Sequence, residues 1–167
     1  NNSNLHINPE NIIMLNDARN WKLFFEARHS MPTKALEKTK ELDAISMITD
    51  TIVPPQNFKA FLKYTHLLLQ NNNIEYLLFG HLGDCHLHFH LIYGKDEQIL
   101  IDGIYRKIVK KSSELNGVYS AEHGTGKRKT IDFIECYGEK AVKQVKECKM
   151  GFDPNLVLNI GNIVSYD

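Results

Sequence analysis

The order of periodic segments predicts an α+β fold. It is a ferredoxin-like βαββαβ unit, an antiparallel sheet with helices on one face, extended by helices at its N- and C-terminal ends. Three observations lead there. Strand-like runs occupy residues 45–53, 74–79, 86–93 and 118–121. Helical periodicity fills the gap between the first pair and the gap between the last pair. Turn residues mark the junctions, namely Pro54-Pro55, Asn71-Asn72-Asn73, Gly80 to Asp84, and Asn116-Gly117.

Taken in order, Asn8-Pro9-Glu10 has a capping side chain before a proline, the opening of a short helix. Trp21, Phe24, Phe25 and Ala27 suggest a helix from Asp17 that Met31-Pro32 interrupts. The lysine-rich run Thr33 to Leu42 reads as a solvated helical connector. Ile45 to Val53 is a strand stopped by Pro54-Pro55. Phe58, Phe61, Leu62, Thr65, Leu68 and Leu69 trace one helical face. Ile74 to Phe79 is the second strand and His86 to Tyr93 the third. Ile101, Ile104, Tyr105, Ile108 and Leu115 line a second long helix, with Asp102, Arg106, Lys107 and Lys110 outside and Asn116-Gly117 as its stop. Val118 to Ala121 is the fourth strand. Ala141, Val142, Val145 and Cys148 make Glu139 to Met150 amphipathic, and the tail from Phe152 runs through turn residues.

With 43% hydrophobic and 24% charged residues over 167 positions, the chain has the composition of one globular domain. Twenty basic residues balance twenty acidic ones, so no net field draws it to nucleic acid or to a lipid surface. Cys85, Cys136 and Cys148 are odd in number and lack CxxC spacing, which fits a reducing cytoplasm better than a disulfide framework. No apolar run reaches the length of a membrane span. The opening Asn-Asn-Ser-Asn-Leu-His reads as a cut within a longer protein.

The chemistry concentrates in Phe79-Gly-His-Leu-Gly-Asp-Cys-His-Leu-His-Phe-His-Leu-Ile92, which holds four of the eight histidines. From His86 the alternation gives a strand with imidazoles on one face and Leu87, Phe89 and Leu91 on the other. A strand that spends His86, His88 and His90 in this way gives up packing, which points to a metal or a ligand. His81 and His88 flank a turn, and Glu122-His123 adds a carboxylate and another imidazole past the fourth strand. Two histidines and a carboxylate with open positions form a catalytic divalent-metal set. In the simplest ferredoxin-like order the fourth strand lies two places from the histidine strand. Glu122 then reaches the ion only if the sheet curls or the following loop folds over.

The segment His86-Leu-His-Phe-His-Leu-Ile92 also matches the alternating signature of histidine-triad nucleotide hydrolases, in which the middle histidine attacks phosphorus and the flanking ones position it. That is the alternative function. Gly124-Thr-Gly-Lys-Arg-Lys129 is not a phosphate loop, since Ala121 and Arg128 stand where glycine and Ser or Thr are needed. It reads as a glycine-rich turn with a solvated basic cluster. Cys85 reads as a turn thiol, and His6, His29 and His66 carry no signal.

Four blocks, in order and spacing, resemble the C-terminal substrate domain of FAD-linked oxidases of the vanillyl-alcohol-oxidase type. They are Ala27-Arg28-His29, Phe79 to His88, Ser120-Ala-Glu-His-Gly-Thr-Gly-Lys127, and Phe152-Asp-Pro-Asn with Leu158-Asn-Ile-Gly161. That group includes flavin D-lactate dehydrogenases, the glycolate oxidase flavin subunit and D-2-hydroxyglutarate dehydrogenase. The resemblance implies His81, His88 and Glu122 as ligands of a divalent metal, zinc by expectation, and His123 as the catalytic base. It implies Arg28 as the clamp on a substrate carboxylate and His90 as a residue near the substrate, where the family commonly has Asn. The family often has Gly-Asn in place of Cys85-His86, and His86 brings the chain nearest to large members fused to an iron–sulfur segment.

The implied reaction is oxidation of a D-2-hydroxy acid, D-lactate first, with hydride passing to FAD. The flavin would be bound mainly by an N-terminal domain of the same protein that these residues do not include. The expected organisation is a single substrate-binding cap domain over residues 1–167, with a helical arm at 1–44, the βαββαβ core at 45–121 and a C-terminal extension at 122–167. An iron–sulfur domain or subunit is the expected electron-transfer partner. The expected location is the cytoplasm, or the periphery of the inner membrane through that partner.

Overall fold

A computed structural model describes residues 8–166, which divide into two compact units, the first ending at Lys38 and the second beginning at Thr39. His6 lies outside the described residues.

In the first unit, Asn8 caps a 3-10 turn over Pro9–Asn11 by accepting from the Glu10 N–H, as its sequence predicts. Helix α1 follows over Ala18–Glu41 and continues past the unit boundary. Pro32 does not interrupt it. A proline removes its own N–H donor, which would have served the carbonyl of Arg28 one turn earlier. Arg28 is exposed, and helix formers crowd the far side (Lys34, Ala35, Leu36, Glu37, Lys38), so the helix absorbs the loss. Trp21, Phe24 and Phe25 stay exposed and pack on one another, Trp21 stacking on Phe25 at 5.5 Å between centroids.

The second unit holds the sheet. Strand β1 is Ile45–Ile48, β2 is Glu75–His81 and β3 is His86–Tyr93, antiparallel in the order β1-β3-β2. Helix α2 (Pro55–Asn71) joins β1 to β2, and α3 (Gln98–Glu114) follows β3. Phe89, Leu91 and Tyr93 of β3 form a core with Phe61 and Leu69 of α2 and Ile101, Ile104 and Ile108 of α3. These are the apolar positions that the periodicity marks, and each is nearly or wholly buried. Both helices therefore lie on one face, and the fold is the α+β, ferredoxin-like arrangement predicted.

The fourth strand is a correction. Residues 118–121 lie beside residues 50–52, where the ferredoxin-like order puts a fourth strand, but only as isolated bridges: Ile52↔Val118 antiparallel and Asp50↔Ser120 parallel. The ladder stops because the next donors, the N–H groups of Glu122 and His123, turn to the Asp50 side chain. Helix α4 runs over Thr130–Phe152 with a break at Gly138, whose φ of 74° and ψ of 174° are not helical. Its second half begins where the sequence predicts, while the first half, Thr130 to Tyr137, adds a helical segment that the periodicity does not mark. At the end of α3 the left-handed residue is Asn116 (φ 58°), not Gly117. Gly117 is needed for lack of bulk, because a β-carbon there would lie 2.3 Å from the Ile52 carbonyl oxygen.

Candidate metal centre

The sheet's other face carries the histidines. Across β2 and β3 the register pairs His81 with His86, Phe79 with His88 and Leu77 with His90. Paired residues share a face, so His81, His86, His88 and His90 all project from the side opposite the helices. His86, His88 and His90 are about 95% buried, whereas the His81 side chain is 37% exposed.

Glu122 reaches this face because the post-strand loop folds over, one of the two routes open to it. Its Oε1 lies 2.8 Å from His88 Nε2 and its Oε2 lies 3.4 Å from His81 Nε2. His88 Nδ1 donates to the Thr49 carbonyl oxygen at 2.9 Å, and that carbonyl can only accept. In a neutral ring the proton is then on Nδ1, and Nε2 presents a lone pair toward Glu122. Two acceptors 2.8 Å apart require a proton or a metal cation between them. A ring nitrogen fixed by a backbone carbonyl is the usual setting of a metal-ligating histidine. Two ligands of a tetrahedral zinc, each about 2.0–2.1 Å from it, lie about 3.4 Å apart, which is the His81–Glu122 separation. The donor set fits a divalent ion. Burial raises the Glu122 carboxyl, but the His88 hydrogen bond and the charges of His88, His81 and His86 outweigh it and hold the group below its ordinary range.

His123 stacks on His88, ring centroids 5.0 Å apart, and its Nε2 is 3.6 Å from Glu122 Oε1. Its side chain is 41% exposed, so the accessible end of the cluster is lined by His81, Glu122 and His123. His90 sits further along β3, and neither ring nitrogen has a hydrogen-bond partner. Burial pushes its imidazole below the ordinary value. Burial first, then the neighbouring His88, also lowers that of His86, against the pull of Asp50 and Glu122. Arg28 lies on α1 in the first unit with its side chain exposed. Cys85 takes a left-handed conformation (φ 56°) after the 3-10 turn Leu82–Asp84 and belongs to neither group of clustered ligands.

Sequence reasoning missed Asp50. It is wholly buried, and its carboxylate accepts from Ser120 Oγ (2.6 Å), the His123 N–H (2.9 Å), Lys129 Nζ (3.2 Å), His86 Nε2 (3.2 Å) and the Glu122 N–H (3.3 Å). Burial alone would raise its pKa, yet Ser120, the His123 N–H and Lys129 bring it down to about 2. The available signal was an aspartate inside the β-branched run Ile48-Thr-Asp-Thr-Ile-Val53, where aspartate is disfavoured. Lys129 corrects the reading of a solvated basic cluster, since it turns inward with a side chain only 17% exposed.

The sequence profile of the family described as FAD linked oxidases, C-terminal domain, matches residues 7–163, and the chain belongs to that family. Among curated relatives, a D-2-hydroxyglutarate dehydrogenase of Haemophilus influenzae is 32% identical over 71% of this chain and 12% of its own length. A D-lactate dehydrogenase of Anaerostipes hadrus is 31% identical over 68% of this chain and 25% of its own length. The glycolate oxidase subunit GlcD of Bacillus subtilis is 29% identical over 85% of this chain and 30% of its own length. The chain thus spans less than a third of these relatives. Among the described residues no helix is long and apolar enough to cross a membrane.

Proposed function

We propose that this chain is the substrate domain of a flavin-dependent dehydrogenase that oxidises a D-2-hydroxy acid, D-lactate foremost, to the 2-oxo acid. The observation that carries the metal half of this reading is the His88–Glu122 pair, two acceptors aimed at each other at 2.8 Å with the His88 tautomer fixed by Thr49.

His81, His88 and Glu122 would hold a divalent ion, zinc by its donor set, which when bound supplies Lewis acidity at the substrate hydroxyl. His123, beside Glu122 and exposed to entering substrate, takes the hydroxyl proton as general base. Arg28 grips the carboxylate with its planar fork, as arginine does wherever bidentate recognition is needed. His90, where the family commonly has Asn, offers an unpartnered buried imidazole to the substrate. FAD, bound mainly by an N-terminal domain of the same protein, would supply the hydride acceptor. The cap-domain organisation, an iron–sulfur partner that takes electrons onward and attachment to the inner membrane through it belong to the same proposal.

Metal analysis of the wild-type chain, His88→Ala and Glu122→Ala tests the centre. The wild type is expected to retain a stoichiometric divalent ion through gel filtration and both variants to lose it. Unchanged occupancy in the variants would defeat the ligand assignment. The substrate is tested on the reading frame that joins these residues to a flavin domain, by dye reduction with D-lactate and D-2-hydroxyglutarate. A preference for the second acid would overturn D-lactate while leaving the metal reading intact.

A further inference from the structure

We propose that Asp50 is the positioning residue that selects the metal's ligand set, drawing Glu122 in and holding His86 out. The inference rests on the metal reading above.

His86 belongs with His81, His88 and Glu122 by distance, since one ligand atom from each lies within 4.8 Å of the others. Four such ligands would close a site, and a closed zinc site is structural, whereas catalysis needs an open position. What separates His86 from the rest is its partner. Its Nε2 donates to Asp50 Oδ1 at 3.2 Å, so that nitrogen carries a proton, the ring is held on the carboxylate, and only Nδ1 keeps a lone pair. The same carboxylate fixes the opposite wall. It accepts the backbone N–H groups of Glu122 and His123, and the Ala121 N–H donates to the Asp50 carbonyl oxygen at 2.9 Å. Three successive residues of the post-strand loop are thereby tied to one residue, and the Glu122 side chain is aimed across at His81 and His88.

Asp50 could instead be read as a ligand, because it also groups with His88, Glu122 and His123. Its bonding argues otherwise. Oδ2 is taken by Ser120, the His123 N–H and Lys129, and Oδ1 by His86 and the Glu122 N–H. A carboxylate has about four lone-pair sites, and five donors already use them. Lys129 further balances the buried charge, with Nζ 3.2 Å from Oδ2 and 2.9 Å from Ser120 Oγ. Asp50 therefore acts on the ion through Glu122 and His86, not by direct contact. Partners of this kind typically change metal affinity by about 10–100-fold when replaced.

The test measures zinc dissociation constants by competition with a chromophoric chelator on the full chain, for wild type, Asp50→Asn, His86→Asn and His88→Ala. Thermal unfolding of each metal-free protein runs in parallel. Asp50→Asn is expected to weaken zinc by about 10–100-fold, while His86→Asn stays within about threefold of wild type because His86 is not a ligand. Wild-type affinity in folded Asp50→Asn, with only its unfolding temperature lowered, would reduce Asp50 to a structural role and overturn the proposal. A His86→Asn loss as large as that of His88→Ala would overturn it by making His86 a ligand. Failure of the wild type to bind zinc would instead sink the metal reading itself, an outcome distinct from the other two.

Discussion

At Gly80 the backbone has φ +145°, and a β-carbon there would lie 2.7 Å from the His86 carbonyl oxygen, 3.1 Å from Leu87 Cα and 3.3 Å from His88 Cδ2. The hairpin can bring His81 and His88 to the same carboxylate only because this position has no side chain. Gly80→Ala is expected to cost about 1–3 kcal/mol from backbone strain, roughly 2–12 °C in unfolding temperature for a chain of this size. It should also weaken zinc, since the clash falls partly on the His88 ring. Calorimetry with and without zinc checks both, and an unaltered unfolding temperature would refute the account. The residues that a spacing argument can find (His81, His88, Glu122) are those whose type is unusual where it stands. Asp50 escaped because its importance lies in five donors from segments far apart in sequence, and a single carboxylate in a strand-like run names none of them.

Among the elements, β3 was legible to the residue, because alternation and a flanking turn fix both ends of a strand. Helices α2 and α3 were legible through their buried faces. The segment at 118–121 was not, since whether a strand-like run completes a ladder depends on its partner's side chain, here Asp50. The C-terminal tail yields a prediction at this scale. Asp153 accepts from Lys149 Nζ at 2.7 Å and from the N–H groups of Val157 and Leu158 at 3.0 Å, which ties the tail to the end of α4. The Lys149 hydrogen bond first, then those backbone donors, hold its carboxyl below the ordinary range. A depressed carboxylate adds stability above its unfolded value of about 3.9 and loses it as pH falls through the folded value. Amides 157 and 158 are therefore expected to stay protected from hydrogen exchange at pH 5 and to lose protection below about pH 4. The α3 amides should remain protected over the same range. Asp153→Asn should show the low-pH behaviour already at pH 5. Equal protection of the tail at both pH values in the wild type would contradict this.

For the molecule as a whole, the two faces of one sheet divide the work. The helix-covered face supplies the packing that holds the second unit together, through Phe89, Leu91 and Tyr93 against α2 and α3. The histidine face gives up apolar burial for imidazoles, both ring nitrogens of His90 have no hydrogen-bond partner, and such buried polar groups weaken a fold unless something satisfies them. A bound ion would return part of that stability, because it binds the folded arrangement of His81, His88 and Glu122 and not the unfolded chain. At a free concentration one hundred times its dissociation constant, a ligand of this kind stabilises the folded state by about 2.7 kcal/mol. In a chain of this length that is roughly 5–11 °C in unfolding temperature. Zinc added to chelator-treated protein is expected to raise the midpoint by that amount and to raise that of His90→Asn equally, since His90 is outside the ligand set. Glu122→Ala should show no response. If zinc left the wild type unmoved, or raised Glu122→Ala as much, the histidine face would owe its composition to something other than a cation.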